Sequence, residues 1–358
     1  MTKVSIYHIQ TESIFSDGKY NAAGKPVMDV ISILNGSGII DLSNVRQVAT
    51  LFGGKLATAK SLKNFFDVVN SHDTVVVQYP LYMSYIAVIQ LIKLLRKRNV
   101  NLIFLVHDIN SLRISGSSEM RGIGHTRDPQ KSLKNELRIL KQATGIIAPT
   151  NSMKLFLESH GLSCNFSVLG LYDYLDSPNS LDDESSSELQ VPQNIIFAGN
   201  LTKAEFLSKI RSPKDFQYQV FGIKPNNYTL SKDVSYEGAF PSDELVTHFK
   251  PGFGLVWDGD SCETVTGVSG EYLRYNSPFK ASMYLESGFP VIIWENSAIA
   301  QLILQKNIGM AVSSLSDAEE RIRNLSIDEY RLMKDNVRRL SMELSSGNMT
   351  RKALEKLI

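Results

Sequence analysis

The chain has 358 residues, room for two domains, and is 43% hydrophobic and 21% charged with a formal net charge of +1. That is the balance of an ordinary globular protein, and no global charge selects nucleic acid or an anionic surface. Two distant cysteines, Cys164 and Cys262, give neither a metal spacing nor a disulfide framework, which fits a reducing cytoplasm. The N-terminus lacks a long apolar stretch, and no window approaches about 18 uninterrupted apolar residues. The expectation is a cytoplasmic protein without a signal or membrane span, at most touching the inner face of a membrane.

Short β-branched runs alternate with amphipathic stretches from end to end. KVSIYHI, RQVATLF, DTVVVQYP, NLIFLVHD, GIIAPT and NFSVLGLY read as buried strands. Helical patterns fall between them at 58–71, 83–98 and 131–142, the last opened by Pro129. Residues 175–192, Ser-rich and acidic with a proline near each end, read as a linker or exposed loop. The alternation then restarts with NIIFAGN, YQVFGI, VSYEGAF, FGLVWDG, PVIIW and GMAV. Helices are expected at 203–210, 241–249, 277–287, 297–305 and 316–323, then a long one at 326–344 and a short one at 350–358. Strands spaced by helices predict parallel sheets covered on both faces. Two such sheets imply a cleft, with the chemistry in the loops after the strands. The expected domains are 1–174, 193–340 and a C-terminal helical segment, 341–358, packing back on the first.

Several motifs could carry chemistry. In RYNSPFK, Asn276 or Ser277 can cap a helix with Pro278 in its first turn. Lys280 then stands near the positive end of the helix dipole, which is mildly unfavourable unless an anion docks there. A diphosphate would suit that site; an ordinary exposed lysine is the plain alternative. After NIIFAGN, Gly199 gives a tight turn, Thr202 and Glu205 have capping-box spacing, and Lys203 again falls in a first turn. No P-loop and no G-x-G-x-x-G after a strand is present, and the six histidines form no zinc pattern. His107 and Asp108 end a strand and could face the cleft to accept a proton or orient a hydroxyl. They could equally satisfy local backbone groups. Residues 91–99 are apolar on one side with four late cations. That reads as a core helix whose basic end suits the dipole, or as a peripheral membrane patch. Asp258 and Asp260 have the Asp-x-Asp spacing of a metal clamp, and also that of a turn.

The block GLVWDGDSCETVTGVSGEYLRYNSPFKASMYLESGFPVIIW, with FAGNLTK and FLVHDINSLR upstream, resembles bacterial β-1,6-galactofuranosyltransferases of polysaccharide assembly. More loosely, the chain is similar to the streptococcal glucosyltransferases that extend the O-glycan of serine-rich adhesins. The resemblance implies an α/β GT-B fold, two Rossmann-like domains facing across a cleft, a UDP-sugar in the C-terminal half and a glycan acceptor in the N-terminal half. It implies no essential metal and no other cofactor. Carried over by motif, Lys203 and Lys280 would hold the diphosphate, with Gly199, Asn200, Tyr275, Asn276 and Ser282 lining the nucleotide-sugar site. Tyr236 would lie against the nucleotide, and Asp258, Asp260 and Glu271 would approach the sugar. Thr11, Ser13 and His107 would lie on the acceptor side, with Asp108 as the acceptor's base and Lys280 offsetting charge on the leaving UDP. The Glu-x7-Glu pair of retaining relatives is absent, since Phe279 stands eight residues after Glu271. Lys203 stands where the adhesin enzymes tend to carry Arg, which removes a bidentate fork.

The expected partners are thus a UDP-sugar and a lipid-linked or protein-linked glycan, with no nucleic acid, with peripheral membrane contact, and with room for a homo-oligomer. The alternatives weighed are an inactive GT-B-like binding subunit and a metal-dependent GT-A enzyme using Asp258 and Asp260.

Overall fold

Each half of the chain forms its own six-stranded parallel sheet. The computed structural model describes residues 4–11, 24–43, 62–63, 66–113, 129–175, 190–242 and 244–358. The chain divides into two units: the described residues of Met1–Ser16, Val27–Leu169 and Thr350–Ile358 form one, and those of Asp17–Pro26 and Gly170–Met349 the other. The predicted strand RQVATLF lies outside the described residues, as do Ser13 and positions 176–189 of the predicted linker.

The first unit runs β1 (Ile6–Ile9), α1 (Lys25–Gly36), β2 (Ile40–Asp41), β3 (Thr74–Tyr79), α2 (Tyr85–Lys97) and β4 (Asn101–Val106). It continues with α3 (Asn110–Arg113), α4 (Pro129–Leu140), β5 (Gly145–Ala148), α5 (Asn151–Ser159) and β6 (Asn165–Val168). The strand order is β2-β1-β3-β4-β5-β6. β3 is buried along its whole length, which is why TVVVQY shows no polar alternation. The chain's last residues return to this unit, where Asn101 Nδ2 donates to the Leu357 carbonyl at 3.3 Å.

The second unit runs β7 (Asn194–Ala198), β8 (Gln217–Phe221), β9 (Ser235–Gly238), β10 (Phe253–Val256), α6 (Gly267–Glu271), α7 (Phe279–Glu286) and β11 (Val291–Trp294). Then follow α8 (Ala300–Lys306), β12 (Gly309–Val312), α9 (Leu315–Asn324) and α10 (Ile327–Ser345); the last helix, α11 (Asn348–Glu355), belongs from Thr350 onward to the first unit. The order β12-β11-β10-β7-β8-β9 is that of a dinucleotide-binding sheet read from the other edge. Alternate residues of β7 feed two apolar layers, Ile195 and Phe197 on one face, Ile196 and Ala198 on the other. Ser326 and Glu329 form a full capping box on α10, which fixes the start of that 19-residue helix.

Two helix expectations fail for local reasons. The helix predicted at 203–210 is two short 3-10 turns, Leu201–Lys203 and Glu205–Ser208. Ala204 between them leaves helical geometry, and the Lys203 carbonyl bonds Gly259 N at 2.8 Å instead of a residue further along a helix. The stretch at 241–249 likewise holds only the 3-10 turn Leu245–His248.

Candidate functional site

In the second sheet β7 and β10 are neighbours, and the loops leaving their carboxyl ends lead to opposite halves of the sheet. This is the switch point at which open α/β sheets hold ligands. The loops there are Gly199–Lys203 and Trp257–Asp260, and Lys280 near the start of α7 reaches into them. Its Nζ donates to Asp258 Oδ1 at 3.0 Å and to the Trp257 carbonyl at 3.4 Å, and lies 4.7 Å from the centre of the Phe197 ring. The two side chains are only 19% and 18% exposed, so this is not a water-screened surface pair.

The placement of Lys280 follows from Tyr284, one helical turn later on the same face. Gly254 in β10 makes room for the Tyr284 ring, since a Cβ there would come within 2.2 Å of it. The Tyr284 hydroxyl oxygen accepts the Ala198 N–H at 2.7 Å. One buried phenol thus pins α7 to both strands of the switch point, and burial raises its pKa far enough to keep it protonated. The glycine interrupting an apolar strand was the sequence signal for this close approach.

The start of α7 differs from the expected cap. Pro278 is itself the N-cap, with extended backbone at ψ 125°, and no side chain caps the helix. The buried Ser277 Oγ and Asn276 Oδ1 have no hydrogen-bond partner. An uncapped helix start with a lysine in its first turn is the arrangement that favours an anion.

The two aspartates of the Asp-x-Asp diverge. Asp258 turns to Lys280. Asp260 accepts from the Thr266 hydroxyl and lies 3.8 Å from Lys209 Nζ, which also donates to the Asp260 carbonyl at 2.6 Å. The Thr266 hydrogen bond and then the Lys209 charge hold the Asp260 carboxyl below the usual range. Gly259 between them has φ +105°, and a Cβ there would lie 2.3 Å from the Thr266 carbonyl oxygen. Its carbonyl accepts from Phe206 N at 3.1 Å, so both aspartates belong to a turn locked onto the 201–206 segment. Among the described residues no three His, Cys, Asp or Glu side chains converge.

Other predicted residues fall around this group or away from it. Asn200 accepts from Thr202 N at 2.9 Å and Thr202 Oγ1 at 2.7 Å, capping the turn that carries Lys203 in place of the expected Thr202–Glu205 box. Gly199 N donates to Phe221 O at 3.1 Å. The next loop along also comes close, because a Cβ on Gly222, at φ +141°, would fall 2.1 Å from Gly199 O. Tyr236 is exposed on the edge strand; its hydroxyl donates to Gly222 O at 2.9 Å and Lys224 sits 5.1 Å over its ring. Tyr275 is half-buried just ahead of α7, its amide donating to Tyr272 O at 3.0 Å. Ser282 is wholly buried within α7. Glu271 ends α6 and pairs with Arg274 at 2.6 Å, and Arg274 stacks 4.4 Å from the Trp294 ring centre.

In the first unit the corresponding strand ends are quieter. The buried Thr11 hydroxyl oxygen accepts Tyr82 N–H at 2.6 Å, bridging the loops after β1 and β3. His107 Nε2 lies 2.8 Å from Gln78 Oε1. Desolvation lowers its pKa from 6.5 to about 4, so the ring is neutral at pH 7. Asp108 Oδ2 is 3.0 Å from Arg113 Nη1. The residue that sequence reasoning missed is Glu136 on α4. It is buried and accepts from Tyr79 OH at 3.1 Å, Asn110 N at 3.1 Å, Ser111 N at 2.9 Å and the Ser111 hydroxyl. It therefore fixes the loop that carries His107 and Asp108. Its periodicity is that of any helix face, so only the tertiary fold identifies it.

Comparison with known proteins identifies the family. The model of the glucosyltransferase 3-like N-terminal domain matches residues 7–171, and that of the C-terminal domain matches 195–357. The chain is 26% identical over 341 residues to the β-1,6-galactofuranosyltransferase WbbI of Escherichia coli K12, covering 94% of this chain and 93% of that protein. It is 28% identical over 214 residues to glucosyltransferase 3 of Streptococcus gordonii, covering 60% and 61%. Among solved structures, sucrose-phosphate synthase of Thermosynechococcus elongatus shares the fold at a TM-score of 0.61 and 14% identity, over 99% of this chain and 97% of that one. With both halves matched by one family in order, the chain belongs to the glucosyltransferase 3-like family of GT-B glycosyltransferases.

Proposed function

We propose that the protein transfers a hexose, galactofuranose or glucose, from a UDP-sugar to a hydroxyl of a glycan acceptor. The observation that carries this is Lys280, half-buried at the second unit's switch point beside an uncapped helix start and, among the described residues, paired with Asp258. A diphosphate there would meet Lys280, the α7 amides and Lys203 from the facing loop. As the bond to the sugar breaks, negative charge grows on the UDP oxygens, and these preorganised donors stabilise it. Asp258, released from Lys280 by the incoming phosphates, and Asn276 then become acceptor groups for sugar hydroxyls, while Tyr236 offers the nucleotide an exposed ring. Two cations and a helix start offset the diphosphate without a metal, and Asp258 and Asp260 already serve different lysines. On the acceptor side we assign Asp108 to the acceptor hydroxyl, with Arg113 holding its orientation. Neutral His107, a weak base, orients that hydroxyl.

Titration calorimetry with UDP tests the donor site: wild type should bind, and Lys280→Ala should lose most of the affinity. No heat of binding with the wild type would sink the assignment and favour a non-catalytic binding subunit. Transfer that persists in EDTA is expected, and its loss would return Asp258 and Asp260 to a metal role. A screen of UDP-hexoses, including UDP-galactofuranose, then names the sugar.

A further inference from the structure

Lys280 is held by Asp258, whereas no carboxylate pairs with Lys203 among the described residues. The reach of Lys203 is therefore set by its backbone, and that backbone is not part of a continuous helix. The Lys203 carbonyl accepts Gly259 N at 2.8 Å. The next carbonyl, of the buried Ala204, accepts Leu207 N at 3.0 Å and also the hydroxyl of Tyr228. Tyr228 stands in the loop after β8, and its own amide closes a turn by donating to Pro225 O at 3.0 Å. The same loop runs on beside the second 3-10 turn. Ser231 N donates to Leu207 O at 3.1 Å, and Ser231 Oγ donates to Ile210 O at 2.7 Å. At the loop's start, Gly222 lies against Gly199 O. Residues 222–231 thus form a strap along residues 199–210, and the Tyr228 hydroxyl is its contact with the residue next to Lys203. Burial, and then the charge of Glu205, push the Tyr228 phenol up to about 12, so it keeps its proton and donates at neutral pH.

We propose that Tyr228 is a positioning residue for the donor site: by holding the Ala204 carbonyl it fixes the turn that aims Lys203 at the donor's diphosphate. The inference rests on the reading of Lys203 as a diphosphate contact. A lysine ammonium is a point charge on a flexible stem, so the anchoring of its backbone limits the volume it searches. Ordering that turn in advance lowers the entropy lost when the phosphates arrive. Tyr228 acts through Lys203 and need not touch the donor.

Titration calorimetry of the full chain with UDP, alongside donor and acceptor KM, tests the proposal. Tyr228→Phe keeps the ring and removes the hydroxyl. It should weaken UDP binding about fivefold, as the loss of one hydrogen bond commonly does. Donor KM should rise to match, with acceptor KM as in wild type. Lys203→Ala should weaken UDP binding roughly tenfold or more, the scale of a charge-assisted contact. On the Lys203→Ala background, Tyr228→Phe should add nothing, because its effect passes through Lys203. Ser231→Ala, which removes the strap's side-chain contact with Ile210, should bind UDP as wild type does. The proposal is overturned if Tyr228→Phe binds UDP normally, if its loss is undiminished without Lys203, or if Ser231→Ala weakens binding equally. Wild type that takes up no UDP, or a Lys203→Ala chain that binds it as wild type does, overturns the donor reading itself and this inference with it. Affinities are referred to the folded fraction, read from melting curves, so a loss of stability in Tyr228→Phe does not mimic the effect.

Discussion

The two sheets are built alike, yet their strand ends are electrically different. In the second unit the switch point holds a half-buried lysine, a compensating carboxylate and a helix start with no cap. In the first, the corresponding loops hold a desolvated neutral imidazole, an Asp108–Arg113 pair and a buried carboxylate saturated by four donors. One arrangement is suited to taking up charge, the other to a neutral hydroxyl. A shared architecture thus says where a ligand sits, while local charge says which ligand.

Removing the charge from the second unit should be the most damaging change. Lys280→Ala is expected to lower transfer about 10²-fold or more with little change in melting temperature. A loss below tenfold in steady-state assays would erase the contrast. Next, Gly254→Ala drives a methyl into the Tyr284 ring and should destabilise the protein by about 3 kcal/mol, seen in denaturant unfolding. Because Tyr284 also positions Lys280, the folded fraction should bind UDP more weakly; unaltered binding would show that Lys280 is placed by something else.

A third test concerns the first unit. His107 has a folded pKa of about 4 against 6.5 unfolded, so between these values the unfolded chain binds more protons and stability rises with pH. Stability is therefore full above pH 6.5 and falls as pH drops towards 4, by up to about 3 kcal/mol. His107→Gln should flatten that slope in unfolding measured at pH 7 and pH 4.5; an unchanged slope would place the acid sensitivity elsewhere. The smallest effect is expected at Asp260. Its contacts with Thr266 and Lys209 are exposed, and Asp260→Asn should leave transfer within about fivefold of wild type. A loss as large as that of Lys280→Ala would mean the turn's carboxylate meets substrate.

Much of this was legible in the sequence. The β-branched runs located strands because both faces of a parallel sheet are buried, so a short continuous apolar run bounded by turn residues marks each strand. Lys280 was legible because its position opposes the dipole of its own helix. The cap of α7 was misread, because Asn276 and Ser277 have the right chemistry and only the extended backbone at Pro278 removes them from the role. The helix expected after Lys203 was misread because its carbonyls are satisfied across the loop, by residues some fifty positions later. Glu136, Tyr284 and Arg113 matter through partners distant in sequence or through a contact no periodicity encodes.

Gly222 accepts the Tyr236 hydroxyl through its carbonyl, and it is also a spacer of fixed width. Its missing side chain lets one strand-end loop rest directly against Gly199 O in the next. Anyone reshaping the proposed donor pocket therefore inherits a boundary condition. Diversity can be placed beyond it, from Ile223 to Asn227, whereas any side chain at position 222 would push on the loop that carries Lys203 and move the proposed phosphate contacts indirectly.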